Sequence, residues 1–233
     1  MKSNKTNYIA LYIISIFLFT VIFTGCKKFA GLPLQENVEH HVSTIDPHIK
    51  MSAWDFLKSR ALGTSDFKDS VFYRMYQGIV YSGIDTLEYT KSGRTFIFLH
   101  NDAVLRKSGN TTTTDSYFGR YKVNNAVATK WENYPKEQVK NYLLSLIANG
   151  EYSFENVGVD VVYTTTLMPL GYDSLNVESL ITFNVGNDSD SRFKINGFAG
   201  SASTAGIQAR TAGILSTNGP IHVVDRVVYY FKP

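Results

Sequence analysis

The hydrophobic pattern changes period partway along the chain, and that change constrains the fold more than any other feature. Up to about residue 149 apolar residues recur mostly at helical spacing. From Tyr152 onward they stand in β-branched or aromatic runs cut by turn residues. In the first part, Ser52 reads as the N-cap of a short helix holding Trp54, Phe56 and Leu57. A longer helix is expected from Ser65 or Asp66 to Tyr81. Phe67, Val71 and Met75 form one i, i+4 row, with Phe72, Tyr76, Ile79 and Val80 beside it and Gly83 as the stop. Pro135-Lys136-Glu137-Gln138 opens a third helix with Val139, Tyr142, Leu143 and Leu146 on one face, ending at Asn149-Gly150.

One strand-like run, Arg94 to Leu99, lies among these helices, bounded by Ser92-Gly93 and His100-Asn101-Asp102. Asn101 or Asp102 is expected to cap a brief helix through Ala103, Val104 and Leu105. Lys107 to Asn125, with Gly109-Asn110 and a threonine run, reads as an exposed loop or hairpin insertion. The second part offers strands at Val159–Thr166, Leu180–Val185, Arg192–Ile195 and Ile221–Phe231. Turns at 187–190, Asn196-Gly197, Gly200–Gly206 and Asn218-Gly219 separate them. Helices first and strands later, without regular βαβ alternation, define an α+β class.

Ahead of all this stands a different kind of segment. Lys2 and Lys5 precede an apolar run from Tyr8 to Phe23, which closes on Phe23-Thr24-Gly25-Cys26 and then Lys27-Lys28. A charged start, an apolar stretch and a small-residue cleavage site are the parts of a secretory signal. The run is short of the roughly 20 residues that span a bilayer as a helix. Small Thr24 and Gly25 before the chain's only cysteine resemble a bacterial lipobox. That resemblance implies cleavage before Cys26 and lipid on its thiol and new amine, an anchor of two or three acyl chains. The expected organisation is a signal peptide over 1–25, a lipidated Cys26 and tether over 26–50 carrying Pro33 and Pro47, and one domain over 51–233.

Charge and cysteine count exclude several classes. The formal charge of +3 loses the two leader lysines and falls to +1, which leaves no basic stripe for nucleic acid. With Cys26 used for lipid, neither an internal disulfide nor a thiolate metal site can form. His40, His41 and His48 cluster only in the tether, where no fixed geometry would hold a metal. The 188–192 stretch begins like a calcium loop. It then puts Arg192 at the fifth ligand position, Phe193 at the glycine and Ala199 at the bidentate acid. Gly197, Gly200 and Gly206 fit neither phosphate-binding spacing, and Ser201 and Ser203 sit in no nucleophile elbow. No cofactor is expected. His222, between Ile221 and Val223, reads as a packed, hydrogen-bonded residue, Asp225 as an acceptor for backbone N–H groups, and Asn218-Gly219 as a turn needing positive φ.

The stretch Thr217-Asn218-Gly219-Pro220-Ile221-His222-Val223-Val224-Asp225-Arg226-Val227-Val228 resembles the C-terminal signature of the fasciclin domain. Thr95-Phe96-Ile97-Phe98-Leu99-His100-Asn101-Asp102-Ala103-Val104 is similar to the family's other signature, and Pro135 to Leu144 to its middle helix. Gly150-Glu151-Tyr152, Lys194 to Gly197 and Gly213-Ile214-Leu215 follow in the family's order. Leu99 stands where the family has Pro. His100 replaces its capping Thr, so a neighbour is expected to cap that helix. Ser145-Leu146 replaces a Tyr-His pair tied to adhesion in animal relatives, so that receptor role is not carried over.

The resemblance implies a wedge of two β-sheets with helices over it. It assigns Thr95, Asp102, Ala103, Asn218, Gly219, His222 and Asp225 to structural motif positions. By the same resemblance the function is extracellular adhesion or binding of a glycan or protein, without catalysis. The Cys-Lys-Lys start is similar to leaders of outer-membrane, glycan-handling lipoproteins of Bacteroidota. The alternatives are an assembly subunit of a cell-envelope complex and, behind it, a hydrolase. Contact is expected through the 107–125 loop, with Tyr117, Phe118 and Tyr121, and through the turn from Gly186 to Arg192.

Overall fold

A computed structural model describes residues 46–63, 70–187, 189, 191–197 and 206–229, with the backbone of two short strands nearer the N-terminus. Those strands, β1 (Lys28–Phe29) and β2 (Leu32–Pro33), pair antiparallel within a first unit that ends at Ile45. The leader, Cys26, His40, His41, Asp188, Asp190, Ser201 and Ser203 lie outside the described residues. Among the described residues no helix is long and apolar enough to cross a membrane.

The second unit starts at Asp46. Its centre is β3 (Arg94–Leu99), which runs parallel to the last strand, β12 (Gly219–Val224), with Phe96 opposite Ile221 and Leu99 opposite Val224. Both strands are almost wholly buried, as their near-continuous apolar runs require. β11 (Thr211–Ser216) pairs antiparallel on the far side of β12, and β6 (Ile147–Asn149) on the far side of β3, giving the order β11-β12-β3-β6. Residues 47–51 lie along the outer edge of β11, with hydrogen bonds from Ile49 N–H to Leu215 O and from Leu215 N–H to Pro47 O. They cover an edge that would otherwise be open.

A second antiparallel sheet is ordered β10-β9-β8-β7, from β7 (Val162–Thr165), β8 (Leu180–Val185), β9 (Phe193–Ile195) and β10 (Ile207–Gln208). The sheets meet where Ala148 bridges Thr166, and again where the chain leaves β10 and Arg210 N–H reaches Val223 O. Helices α1 (Ala53–Leu62), α2 (Tyr73–Ser82) and α5 (Lys136–Leu144) belong to the layer over the first sheet. Phe96 and Phe98 of β3 meet Phe56, Phe72 and Tyr89 there at ring separations of 5.3 to 6.5 Å. The fold is α+β, as the change of period predicts.

Four local expectations change. The expected start of α2 at Ser65 or Asp66, with Phe67, lies outside the described residues, and α2 begins at Tyr73, after non-helical residues 70–72. It has no side-chain cap of its own: Asn101 accepts from Arg74 N–H through Oδ1 and donates from Nδ2 to Ser70 O. α5 stops at Leu144, because Ile147–Asn149 is drawn into the first sheet beside β3. His100 is itself the cap of α3 (Asn101–Val104), its Nδ1 accepting from Asp102 N–H at 3.2 Å, so no neighbour is needed. The last strand ends at Val224, and 225–229 continue without sheet pairing.

The fifth difference matters most for function. The 107–125 stretch does begin as a hairpin, β4 (Lys107–Ser108) with β5 (Thr111–Thr112). It then turns inward as α4 (Tyr117–Arg120), whose Tyr117 and Phe118 are 1% exposed. Tyr117 packs at tilted or edge-on angles within 4.4 to 5.2 Å of Tyr142, Trp131, Tyr121 and Tyr134. These rings are core, so the expected binding loop is not a surface of aromatic contacts.

Candidate functional site

The motif residues divide into braces and rim. Thr95 is fully buried; its Oγ1 donates to Gly150 O and accepts from Tyr152 N–H, both at 2.8 Å. Asn218 is the most heavily used side chain. Its Oδ1 accepts from Ala53 N–H at 2.8 Å and so caps α1 from the opposite end of the sequence, beside the local cap Ser52. Its Nδ2 donates to Tyr89 O and Lys91 O. The hairpin loop between β11 and β12 is Thr217-Asn218, and the positive φ falls just after it, at Gly219 (φ 145°). A Cβ on Gly219 would lie 1.9 Å from Arg94 O, which is why only glycine fits.

His222 stands between the sheets. Its ring stacks on Phe193 at 3.9 Å and 11°. With Nε2 protonated it donates to Tyr152 O at 2.8 Å, leaving Nδ1 to accept from Gly213 N–H at 3.3 Å. Burial pushes its pKa down to about 4, against a smaller upward pull from the Tyr152 carbonyl. Both nitrogens are occupied and the ring is fully buried, which makes it a structural histidine. Ala103 is likewise fully buried in the core.

Asp102 and Asp225 differ from these. They meet at the C-terminal end of the parallel pair, where His100 N–H joins Val224 O. Asp225 pairs with a guanidinium and not with backbone N–H groups: Arg106 Nη2 donates to its Oδ2 at 2.9 Å and to its carbonyl at 2.8 Å. Asp102 faces His100 at 3.2 Å and Arg210 at 3.7 Å. Burial lowers the pKa of His100, an effect that Asp102 and Asp225 oppose and that Arg210 and Arg106 reinforce.

Beyond this cluster opens a cleft of about 840 Å³, lined by Asp115, Arg192, Arg210, Asp225, Arg226 and Tyr229 among others. The arginines arrive from three segments: the end of the β8–β9 turn, the passage from β10 to β11, and the residues after β12. Arg192 Nη1 donates to Gln208 Oε1 at 2.8 Å. Arg226 lies 4.0 Å from Asp115. Arg210 and Arg226 are 51% and 59% exposed. Such an arrangement can hold an anion; among the described residues no cluster of His, Cys, Asp or Glu could hold a metal.

Sequence reasoning marked Arg192 at the end of an expected contact turn but missed Arg210, Arg226 and Gln208. Arg226 stands within the quoted C-terminal signature and Arg210 just before β11, but nothing local marks either of them, or Gln208 in β10, as part of a site. His48, expected in a solvated tether, forms an exposed pair with Asp46 at 2.7 Å.

No family model and no curated protein matches this chain. Among solved structures it is similar to a FAS1 domain pair from the insect cell adhesion molecule fasciclin I. The identity is 15% and the TM-score 0.44, over 69% of this chain and 46% of that one. The chain thus spans about half the length of that structure.

Proposed function

We propose that this is a lipid-anchored cell-envelope protein whose 46–233 unit is a fasciclin-like, non-catalytic module that binds an extracellular glycan or protein. The anchor rests on Phe23-Thr24-Gly25-Cys26 after an apolar run, with no other cysteine in the chain. The outer-membrane location rests on the similarity of the Cys26-Lys27-Lys28 start to leaders of outer-membrane lipoproteins. The fasciclin-like reading rests on the collinear motifs, whose residues Thr95, Asn218 and His222 serve as internal braces. The observation that carries binding is the contrast they make with the cleft, where Arg210 and Arg226 face solvent in loose pairs.

The full chain, expressed in a bacterial host, should take up labelled palmitate and partition into detergent, and Cys26→Ala should do neither. Label retained by that variant contradicts the anchor. The detergent-extracted protein should bind a member of a panel of polysaccharides and matrix proteins and turn over no hydrolase substrate. Turnover lost on replacing one polar residue contradicts the non-catalytic reading.

One observation favours a second reading, an assembly subunit. Val159, Tyr163, Leu170, Tyr172, Leu175 and Val177 are all exposed within one short span of sequence. Recovery of the chain in a stoichiometric envelope complex, lost in Leu170→Asp/Leu175→Asp, would favour it.

A further inference from the structure

We infer that the cleft at the C-terminal end of β12 binds the carboxylate or sulfate groups of an acidic polysaccharide. This rests on the binding reading above and names its ligand class. Three guanidiniums line the cleft with two carboxylates, and one of these, Asp225, is already held by Arg106 at 2.9 Å. With Asp102 opposite Arg210, four guanidiniums and three carboxylates meet here, on a chain that is nearly neutral after loss of the leader lysines.

Two of these exposed guanidiniums are loosely engaged among the described residues. Arg210 stands 3.7 Å from Asp102 and Arg226 stands 4.0 Å from Asp115. Charge-assisted N–H···O bonds run at about 2.7–2.9 Å, so both pairs leave the planar, two-pronged donor geometry of arginine unspent. A planar carboxylate or a sulfate satisfies that fork. The remaining walls suit a sugar: the Gln208 side chain sits in the same lining, and so does Tyr229, whose ring lies 4.7 Å from Arg120.

An open cleft of this size accommodates part of a chain and not a lone ion. Nucleic acid is disfavoured because affinity for it grows with the number of phosphates neutralised, and three arginines on a nearly neutral chain make a short row.

The test uses the full chain in detergent with polygalacturonate and dextran sulfate as probes, and dextran and single-stranded DNA as controls. Binding to at least one acidic glycan and not to dextran is expected. Arg210→Gln/Arg226→Gln should weaken it at least tenfold, and Arg210→Lys/Arg226→Lys by a smaller factor, since lysine keeps the charge and loses the fork. Lys58→Gln/Lys136→Gln, on the helix layer, should leave it unchanged.

No binding to either acidic glycan overturns the inference, as does tighter binding to DNA, or equal loss in the helix-layer variant. Binding to a neutral glycan or matrix protein that ignores the arginines overturns the anionic ligand while leaving the binding module standing. If the glutamine pair fails to melt cooperatively, the lysine pair decides: unchanged binding there, with unchanged dependence on salt, counts against the cleft.

Discussion

The two ends of β12 are built on opposite principles. At its N-terminal end, Asn218 is buried and holds three backbone groups from two other segments, and Gly219 lets Arg94 O approach a backbone that carries no side chain. At its C-terminal end, Asp225 is tied down, yet Arg226 and the adjacent Arg210 stay half exposed with ion pairs at 4.0 and 3.7 Å. A buried polar group left unpaired is costly, so evolution closes such networks; a loose surface pair contributes almost nothing to stability. Polar residues at one end of the strand therefore hold the fold, and the half-exposed arginines at the other contribute little to it.

The largest effect expected from breaking this contrast is at Gly219. Gly219→Ala forces a Cβ into Arg94 O at a positive φ, and the two centre strands must part, at a cost of about 4 kcal/mol or more. Loss of cooperative urea unfolding would register it. Asn218→Ala removes the second cap of α1 and orphans the Tyr89 and Lys91 carbonyls, for about 3–4 kcal/mol in the urea midpoint.

Next comes pH. His222 titrates at about 4 when folded, against about 6.5 unfolded, so between these values the unfolded chain binds the extra proton. The contribution is fully present above pH 6.5 and is lost as pH falls toward 4, reaching about 3 kcal/mol. His222→Phe should flatten that part of the stability-versus-pH curve; a curve with the parental slope would show that another group is responsible. Smallest of all, Arg210→Gln and Arg226→Gln should each change stability by no more than about 0.5 kcal/mol in the same urea measurement.

What was legible in the sequence follows the range of the interaction. Ser52 caps α1 through Asp55 N–H three residues on, Gly83 ends α2 in a left-handed turn, and β3 keeps the predicted Arg94–Leu99 bounds. Each of these signals is local. Apart from the local cap that His100 gives α3, the misses are contacts across the fold. The start of α2 is set by Asn101, the inward turn of Tyr117 and Phe118 by Trp131, Tyr134 and Tyr142, and the end of α5 by strand pairing with β3. The polar Thr111–Thr114 run reads as a loop or hairpin, and its first two residues do form the second strand of one; nothing local tells that the next turn is core. Asn218 was legible as a turn residue, but its bond to Ala53, 165 positions away, was not. The cleft is the extreme case, assembled from arginines that share no motif.

Thermal melting of Asn218→Ala beside Arg210→Gln/Arg226→Gln, in the full chain at pH 7, tests the difference between the two ends most directly. With about 2–4 °C per kcal/mol for a domain of this size, Asn218→Ala should melt about 10 °C below the parent and the arginine pair within about 4 °C of it. An arginine pair that falls as far as Asn218→Ala would make those guanidiniums structural staples and contradict the account.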